Sequence, residues 1–488
     1  MRKSSGLRGP LQGRKLLFWL LAALLVCLKY LLYGFQYYPL LDDYIQYWAY
    51  PHLGAGAVFT QIGTLATRPL AGLADVYVWG SFWPNMGIAL AIITCLHILS
   101  AYFFCETLEF CRVPCGTIFL AVYLFLPMGF EAAYWISASS RIIVGLFFVS
   151  LSLFFLVRHI QMGRRWCYFI FSILQLISFC FYEQVIIVGF IMSIFVLASN
   201  RQRAGSYIAP FVNLVLIGLY YLLFSRTGAF ADRGTILTGQ ALVSQLTFLA
   251  GEFRDLWYSG LWELTKNGFW RGIALLWQNP VYLIAVVLTI CVFVPLGTRQ
   301  KEQRYGRSYL LAVLLLILPF LIFLVQKDSI LPYRNAYPAI MGLAIAAQAV
   351  FDGIFSNRAI RGGIAFCLLF IFMCANVSEL TDYKSNTEID AVICRNVGAS
   401  LSSDVLAGER EAILVGTRWR YAPQNASHRE HIYSLTQSDW ALTGGLRYYT
   451  GSWIKLVTPA PEVTQQMLDS DAQILALQYD FSVQVVRP

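Results

Sequence analysis

The chain has 488 residues, of which 58% are hydrophobic and 13% charged, with a mean hydropathy of +0.60. Soluble domains carry roughly 25% charge, so this length is not read as two or three ordinary soluble domains. The long, continuous apolar runs also exclude a porin-like barrel, whose strands alternate apolar and polar residues.

The first fifteen residues are basic and precede an apolar run over 16–34, long enough to cross a bilayer. It is too long for a secretory signal and lacks a small-residue cleavage site, so it predicts a first spanning helix with a cytoplasmic N-terminus. Further apolar runs lie near 86–105, 116–131, 141–157, 166–182, 184–199, 207–225, 277–297, 308–326, 337–355 and 360–376. Together they predict about eleven transmembrane helices. Counted from a cytoplasmic N-terminus, the cytoplasmic connections carry Arg112; Arg158, Arg164 and Arg165; Arg201 and Arg203; Arg299, Lys301, Arg304 and Arg307; and Arg358. The short connections on the other side carry few cations, which is the positive-inside pattern. Much of the +9 net charge therefore records orientation, and nucleic acid is excluded as a partner.

Three segments fall on the outer side under this count: a first loop at 35–85, a second at 226–276, and everything after 376. The last is rich in Ser, Thr, Asp, Gln and Arg. Its short runs at 412–415, 474–477 and 481–486 read as strands, and Gly444–Gly445 and Pro459–Pro461 as turns. The expected fold is an α-helical polytopic membrane domain, 1–376, followed by a small α/β domain, 377–488, on the outer side. That domain contains only Cys394 of the 11 cysteines and must fold without an internal disulfide. Cys111 and Cys115 lack the second pair a zinc site needs. Asn376 and Asn425 begin glycosylation sequons, which matter only in a eukaryotic host.

Ionisable residues near a membrane that topology does not require are the informative ones. Asp42 and Asp43 stand just beyond the first helix, followed by Tyr44, where a carboxylate could deprotonate a hydroxyl nucleophile or simply cap a helix over 44–48. Arg68 and Asp75 share that loop, and Arg68 suits either a phosphate or an ion pair with a loop carboxylate. A short turn presents Glu131, Trp135, Ser137 and Arg141, and Glu183 sits in a connection so short that it must lie at the membrane edge. Residues 246–261 have the spacing of an amphipathic interfacial helix. Lys327, Tyr333 and Arg334 close the series at the outer end of another helix. These unexplained charges all fall on the side of the C-terminal domain.

The ordered series resembles the multi-spanning GT-C glycosyltransferases, a group that includes protein O-mannosyltransferases and the bacterial aminoarabinose transferase. The likeness rests on the first-loop pair Asp42–Asp43–Tyr44. It extends through the Trp135–Arg141 turn, Tyr182–Glu183–Gln184, and Tyr333–Arg334 with Tyr337–Pro338, spanning about 35–340. Tyr182 and Asn335 depart from the residues common in that family, which leaves subfamily and acceptor open. The resemblance implies inverting transfer of a sugar from a polyprenyl-phosphate donor to an acceptor hydroxyl on a glycan, lipid or protein. Asp43 or Asp42 would be the base, with Asp43 the first choice. Arg68, Arg141, Lys327 and Arg334 would hold phosphate, with Glu183 orienting one cation and Tyr44, Asp75, Trp135 and Tyr333 lining the substrate. No cofactor is required by this chemistry, although some relatives use a divalent metal and the Asp42/Asp43 pair is where one would sit. The implied location is a bacterial inner or plasma membrane, in cell-envelope glycan synthesis, with the C-terminal domain periplasmic or extracellular. The rival readings are a transporter or flippase of lipid-linked saccharides, a glycan polymerase or ligase, and a non-catalytic scaffold.

Overall fold

The structure, a computed structural model, describes residues 8–53, 56, 68–224, 239–297, 305–325, 331–417 and 428–488. Among them, seven helices are long and apolar enough to cross a membrane: Met86–Phe110, Ile136–Met162, Ala204–Leu223, Pro280–Gly297, Gly306–Leu324, Tyr333–Ile354 and Arg358–Ser400. The pair Thr117–Phe125 and Pro127–Tyr134, bent by 46°, adds an eighth if it is one span. Pro127 explains the break, because its ring cannot continue the preceding helix. Ile136–Met162 and Tyr333–Ile354 are the most enclosed spans, and their N-terminal ends sit side by side at the base of the C-terminal domain.

The 226–276 segment is more than an interfacial loop. Within its described part, Gly239–Tyr258 and Leu264–Trp277 are helices, and exposed Val243, Leu246, Trp270 and Trp277 give them an apolar outer surface. The second packs backbone to backbone on Arg358–Ser400. A Cβ at Gly272 would collide with the Cys374 carbonyl, so only glycine permits that approach.

The expected domain boundary at 376 falls inside one helix, Arg358–Ser400, of 43 residues. At about 1.5 Å per residue it is roughly twice as long as a bilayer core is thick, and it runs directly into the C-terminal domain. Asn376 is fully buried in it and donates to the carbonyls of Phe125 and Phe372, so its sequon is not an accessible glycosylation site. The Asn425 sequon lies outside the described residues.

The C-terminal domain carries a four-stranded sheet of order β2-β1-β3-β4, with β1 Ala412–Val415, β2 Val457–Ala460, β3 Gln473–Leu477 and β4 Val483–Arg487. β1 is parallel to both neighbours, and β4 is antiparallel to β3. Alternation puts Ala412, Leu414, Val457, Leu475 and Leu477 on the face covered by the helix Asp439–Thr450 and the end of Arg358–Ser400. Two expected turns are regular structure instead. Pro459 lies in β2, an edge strand, where a missing N–H is tolerated. Gly444 and Gly445 lie within Asp439–Thr450, because this helix presses against the first loop on one side and Leu435 on the other. A Cβ at Gly444 would stand 2.4 Å from Ile45 Cγ1, and one at Gly445 2.6 Å from Leu435 Cδ1.

Gly444→Val should therefore force the C-terminal domain away from the first loop, at a cost of about 1–3 kcal/mol for overpacking. Limited proteolysis in detergent should show faster cleavage within 401–488 than in the native protein; an unchanged pattern would mean that the contact is not tight.

Candidate functional site

The first-loop carboxylates diverge. Asp43 is fully buried. Its Oδ2 accepts from the Tyr37 hydroxyl at 2.5 Å and from Leu40 N–H at 2.9 Å, and its Oδ1 from Ser137 N–H at 3.2 Å. The Tyr37 hydroxyl in turn accepts from Ile136 N–H at 2.9 Å. Asp43 thus satisfies donors that the first turn of Ile136–Met162 leaves unpaired, where a negative charge also suits the helix dipole. Burial still pushes its carboxyl up to about 7, against the opposing hydrogen bond from Tyr37. Asp42 is part-exposed and accepts from Trp440 Nε1 at 3.1 Å. The two acids accept hydrogen bonds from different partners.

Arg141 and Asp75 form a second buried unit. Arg141 Nη2 lies 2.5 Å from Asp75 Oδ2, with the side chains 5% and 0% exposed. Nη1 donates to Gln46 Oε1 at 3.2 Å, Ser140 Oγ at 3.3 Å and the Ser137 carbonyl. Burial raises the Asp75 carboxyl to about 6, with Arg141 pulling hardest the other way. This arginine is spent on internal partners. It fastens the Asp75–Trp79 segment to a central helix, so Arg141 and Asp75, expected to hold phosphate and line the substrate, lie buried in a pair with each other. Tyr44 is likewise fully buried, against Trp83, Tyr448 and Tyr449, and acts as a joint between the loop and the C-terminal domain.

Of the expected phosphate cations among the described residues, Arg68 and Arg334 are part-exposed, and each is held by one acid and one ring. Arg68 Nε lies 2.9 and 3.0 Å from the two Glu183 oxygens, and its guanidinium stands 4.6 Å from the centre of the Tyr182 ring. Among the described residues its two terminal nitrogens donate to no protein acceptor. Arg334 is paired with Glu430 at 2.7 and 3.2 Å and stacks 4.8 Å from the Trp135 ring. The side chains of Arg68, Glu183, Arg334 and Glu430 are 32, 18, 26 and 24% exposed. Tyr182 joins the two arginines, its hydroxyl donating to Asn335 Oδ1 at 2.6 Å, while Gln184 donates to the Asn335 carbonyl at 2.9 Å. Asp42 is close enough to act on both Arg334 and Glu430. Part-exposed Asp42, Arg334, Arg68 and Glu183, backed by buried Trp135 and Tyr182, thus belong to one charged cleft where the first loop, two helix ends and the C-terminal domain meet. Lys327 lies outside the described residues. Tyr333 is buried behind the cleft, its N–H donating to the His428 carbonyl at 2.8 Å.

A side of the site absent from the sequence reading comes from 428–432. His431 lies fully buried between Glu131 and Glu379, each 3.0 Å from one ring nitrogen, and stacks flat on Tyr383 at 4.7 Å. Burial alone would lower its pKa, but the two carboxylates win and raise it to about 9. Arg429 bridges Glu379 and Asp382 at 2.9 and 2.8 Å, and Arg271 also pairs with Asp382 at 2.5 Å. Glu379, Asp382 and His431 place ligand-type atoms within 4.8 Å of one another, and Arg429 pairs with both of these carboxylates. The available signal was composition: His428–Arg429–Glu430–His431 puts four titratable residues in a row and uses two of the chain's five histidines. The chain matches no protein-family model and no curated protein.

Asp75→Asn should leave Arg141 charged and unpartnered in the interior, a loss of about 3–5 kcal/mol, seen as a large drop in thermal stability in detergent. A drop no larger than that of a surface Asp→Asn change would contradict the pairing. The His431 clasp carries its own pH signature. A free histidine titrates near about 6.5, below the folded value of about 9. The stabilisation is therefore fully present below about 6.5 and is lost as pH rises through about 9. Hydrogen exchange across 428–437 should accelerate between pH 7 and 10, beyond the intrinsic base-catalysed rise, and this excess should vanish in His431→Gln.

Proposed function

We propose that the protein is a membrane glycosyltransferase that moves a sugar from a polyprenyl-phosphate donor to an acceptor hydroxyl. The observation that carries the reading is the cleft itself. It combines a part-exposed first-loop carboxylate, Asp42, with two ring-stacked guanidinia, Arg334 and Arg68, at the common end of the spanning helices. Phosphate recognition calls for planar, always-charged arginine donors. Base catalysis calls for a carboxylate within reach of the attacking hydroxyl. The cleft supplies both.

In this reading Asp42, part-exposed with one donor from Trp440, rather than the buried Asp43 with three donors, takes the proton from the acceptor hydroxyl. The acceptor oxygen attacks the anomeric carbon, the bond between that carbon and the phosphate oxygen breaks, and the lipid phosphate leaves with the electron pair. Arg334 and Arg68 neutralise the charge that builds on the leaving oxygen, in a cleft where such stabilisation is strong. Asp43, Asp75 and Arg141 hold the loop that carries the base. No metal is needed for any of these steps.

We further propose eleven membrane passes. Arg8–Leu31 and the shorter apolar helices Arg165–Phe179 and Glu183–Ser199 would join the seven long helices and the bent pair. With that count and the positive-inside pattern, the cleft and the C-terminal domain would lie on the periplasmic or extracellular side.

Asp42→Asn should abolish transfer to endogenous acceptors, a loss of at least about 100-fold for a general base, while expression and membrane insertion stay normal. Asp43→Asn should lower thermal stability as well as activity. The comparison can be made by mass spectrometry of envelope glycans in a deletion strain complemented with each variant; full restoration by Asp42→Asn would sink the assignment.

A further inference from the structure

Arg334 meets the cleft already occupied by an anion of the protein's own. Glu430 engages both terminal nitrogens of Arg334, through Nη1 at 2.7 Å and Nη2 at 3.2 Å. These are the nitrogens a phosphate would need. The neighbouring acids are committed elsewhere: Glu131 to His431 at 3.0 Å, Asp42 to Trp440 at 3.1 Å, and Glu183 to Arg68 at 2.9 Å. Glu430 is the member of the group that comes from the C-terminal domain. It is adjacent to the buried clasp residue His431 yet remains 24% exposed.

We propose that Glu430 is an internal counter-anion that occupies the Arg334 phosphate subsite in the absence of ligand and must swing away when a lipid-linked phosphate binds. The inference rests on the donor-site reading above. Its physical basis is that one guanidinium cannot serve two anions at the same face, because two like charges about 4 Å apart repel strongly in a partly dry site. With the site empty, Glu430 spares Arg334 the cost of an unpaired charge among Trp135 and the helix ends. Its own position is strained electrostatically, since burial lifts its carboxyl to about 7 and the nearby Glu131 and Asp42 add to the rise, against the pull of Arg334. A group held this way is readily replaced. The entering phosphate oxygens pair with Arg334, and Glu430 exchanges that pair for solvent. After transfer, the return of Glu430 to Arg334 helps release the lipid phosphate. The C-terminal domain thereby sets the affinity of a site otherwise built from helix ends.

The test uses the full chain in phosphatidylcholine nanodiscs at pH 7.5, with decaprenyl monophosphate and inorganic phosphate as separate probes. Glu430→Gln keeps the shape and removes the charge, and should bind decaprenyl phosphate about tenfold more tightly than the native protein, equivalent to about 1.4 kcal/mol. In an Arg334→Gln background the same change should have no effect, because the coupling runs through that guanidinium. Glu430→Asp retains the charge and should stay near native affinity. A gain for both probes assigns the subsite to phosphate alone, and a gain confined to the lipid adds the prenyl chain; either supports the proposal. Equal affinity for Glu430→Gln and the native protein, a gain that survives loss of Arg334, or a gain in Glu430→Asp would each overturn the counter-anion role and leave the donor site standing. If decaprenyl phosphate binds neither protein, the donor-site reading falls and this inference falls with it.

Discussion

The architecture around the cleft depends on one buried cation. His431 sits with 1% of its side chain exposed between Glu131 and Glu379, which are 1% and 3% exposed. Three charges in a dry interior are tolerated only when each is paired, since removing any partner leaves an uncompensated charge. Here the partners belong to the bent helix pair, the long helix Arg358–Ser400 and the C-terminal domain, so the pairing condition fixes these three segments together. The stacked Tyr383 ring and the Asn386 hydrogen bond to the His431 carbonyl at 2.6 Å hold the imidazole in the one orientation that serves both acids. Once His431 is fixed, Glu430 has little freedom, and its reach to Arg334 follows.

The first loop shows how burial divides like residues into unlike roles. Asp42 and Asp43 are adjacent and chemically equivalent in the chain. Asp43 faces inward, where three donors converge, and becomes part of the scaffold for Ile136–Met162. Asp42 faces the cleft, with one donor from an exposed tryptophan. The same sorting separates the arginines. Arg141 disappears into a pair with Asp75, whereas Arg68 and Arg334 stop at the cleft wall with a ring behind each. The interior members are held by internal partners, and the boundary members remain part-exposed.

Much of this was legible in the sequence, and the gaps have identifiable causes. Continuous apolar runs located the long helices, because burial in lipid requires them. Pattern reading also gave three of the four strands. The failures came where tertiary packing overrode local signals. Gly444–Gly445 looked like a turn but serves close helix packing on Ile45, and Pro459 looked like a breaker but lies on a sheet edge. For the site, Arg68, Glu183, Trp135 and Arg334 could be grouped because each stands in a loop or at a predicted helix end on one side. The pairing could not be read. Arg68 suited either a phosphate or a loop acid, and Glu183 an unspecified cation, whereas the structure joins Arg68 to Glu183 and Arg141 to Asp75. Glu430 and His431 were out of reach for the same reason: nearly 300 residues separate His431 from Glu131, and nothing local to either records the contact.

The two cleft arginines are not equivalent, and the difference has a kinetic meaning under the proposed reading. Among the described residues Arg68 uses only Nε, on Glu183, so its terminal nitrogens can meet an anion without breaking a bond to any of them. Arg334 spends both terminal nitrogens on Glu430. An arriving phosphate therefore meets one site that is ready and one that must be vacated, and exchange at the second is easier once the first has raised the local concentration of the competing anion. Engagement at Arg68 before Arg334 follows from the geometry of the two pairs. The held rings of Tyr182 and Trp135 make that order effective, because they keep both guanidinia in place while the anions change over and so limit the conformational cost of binding.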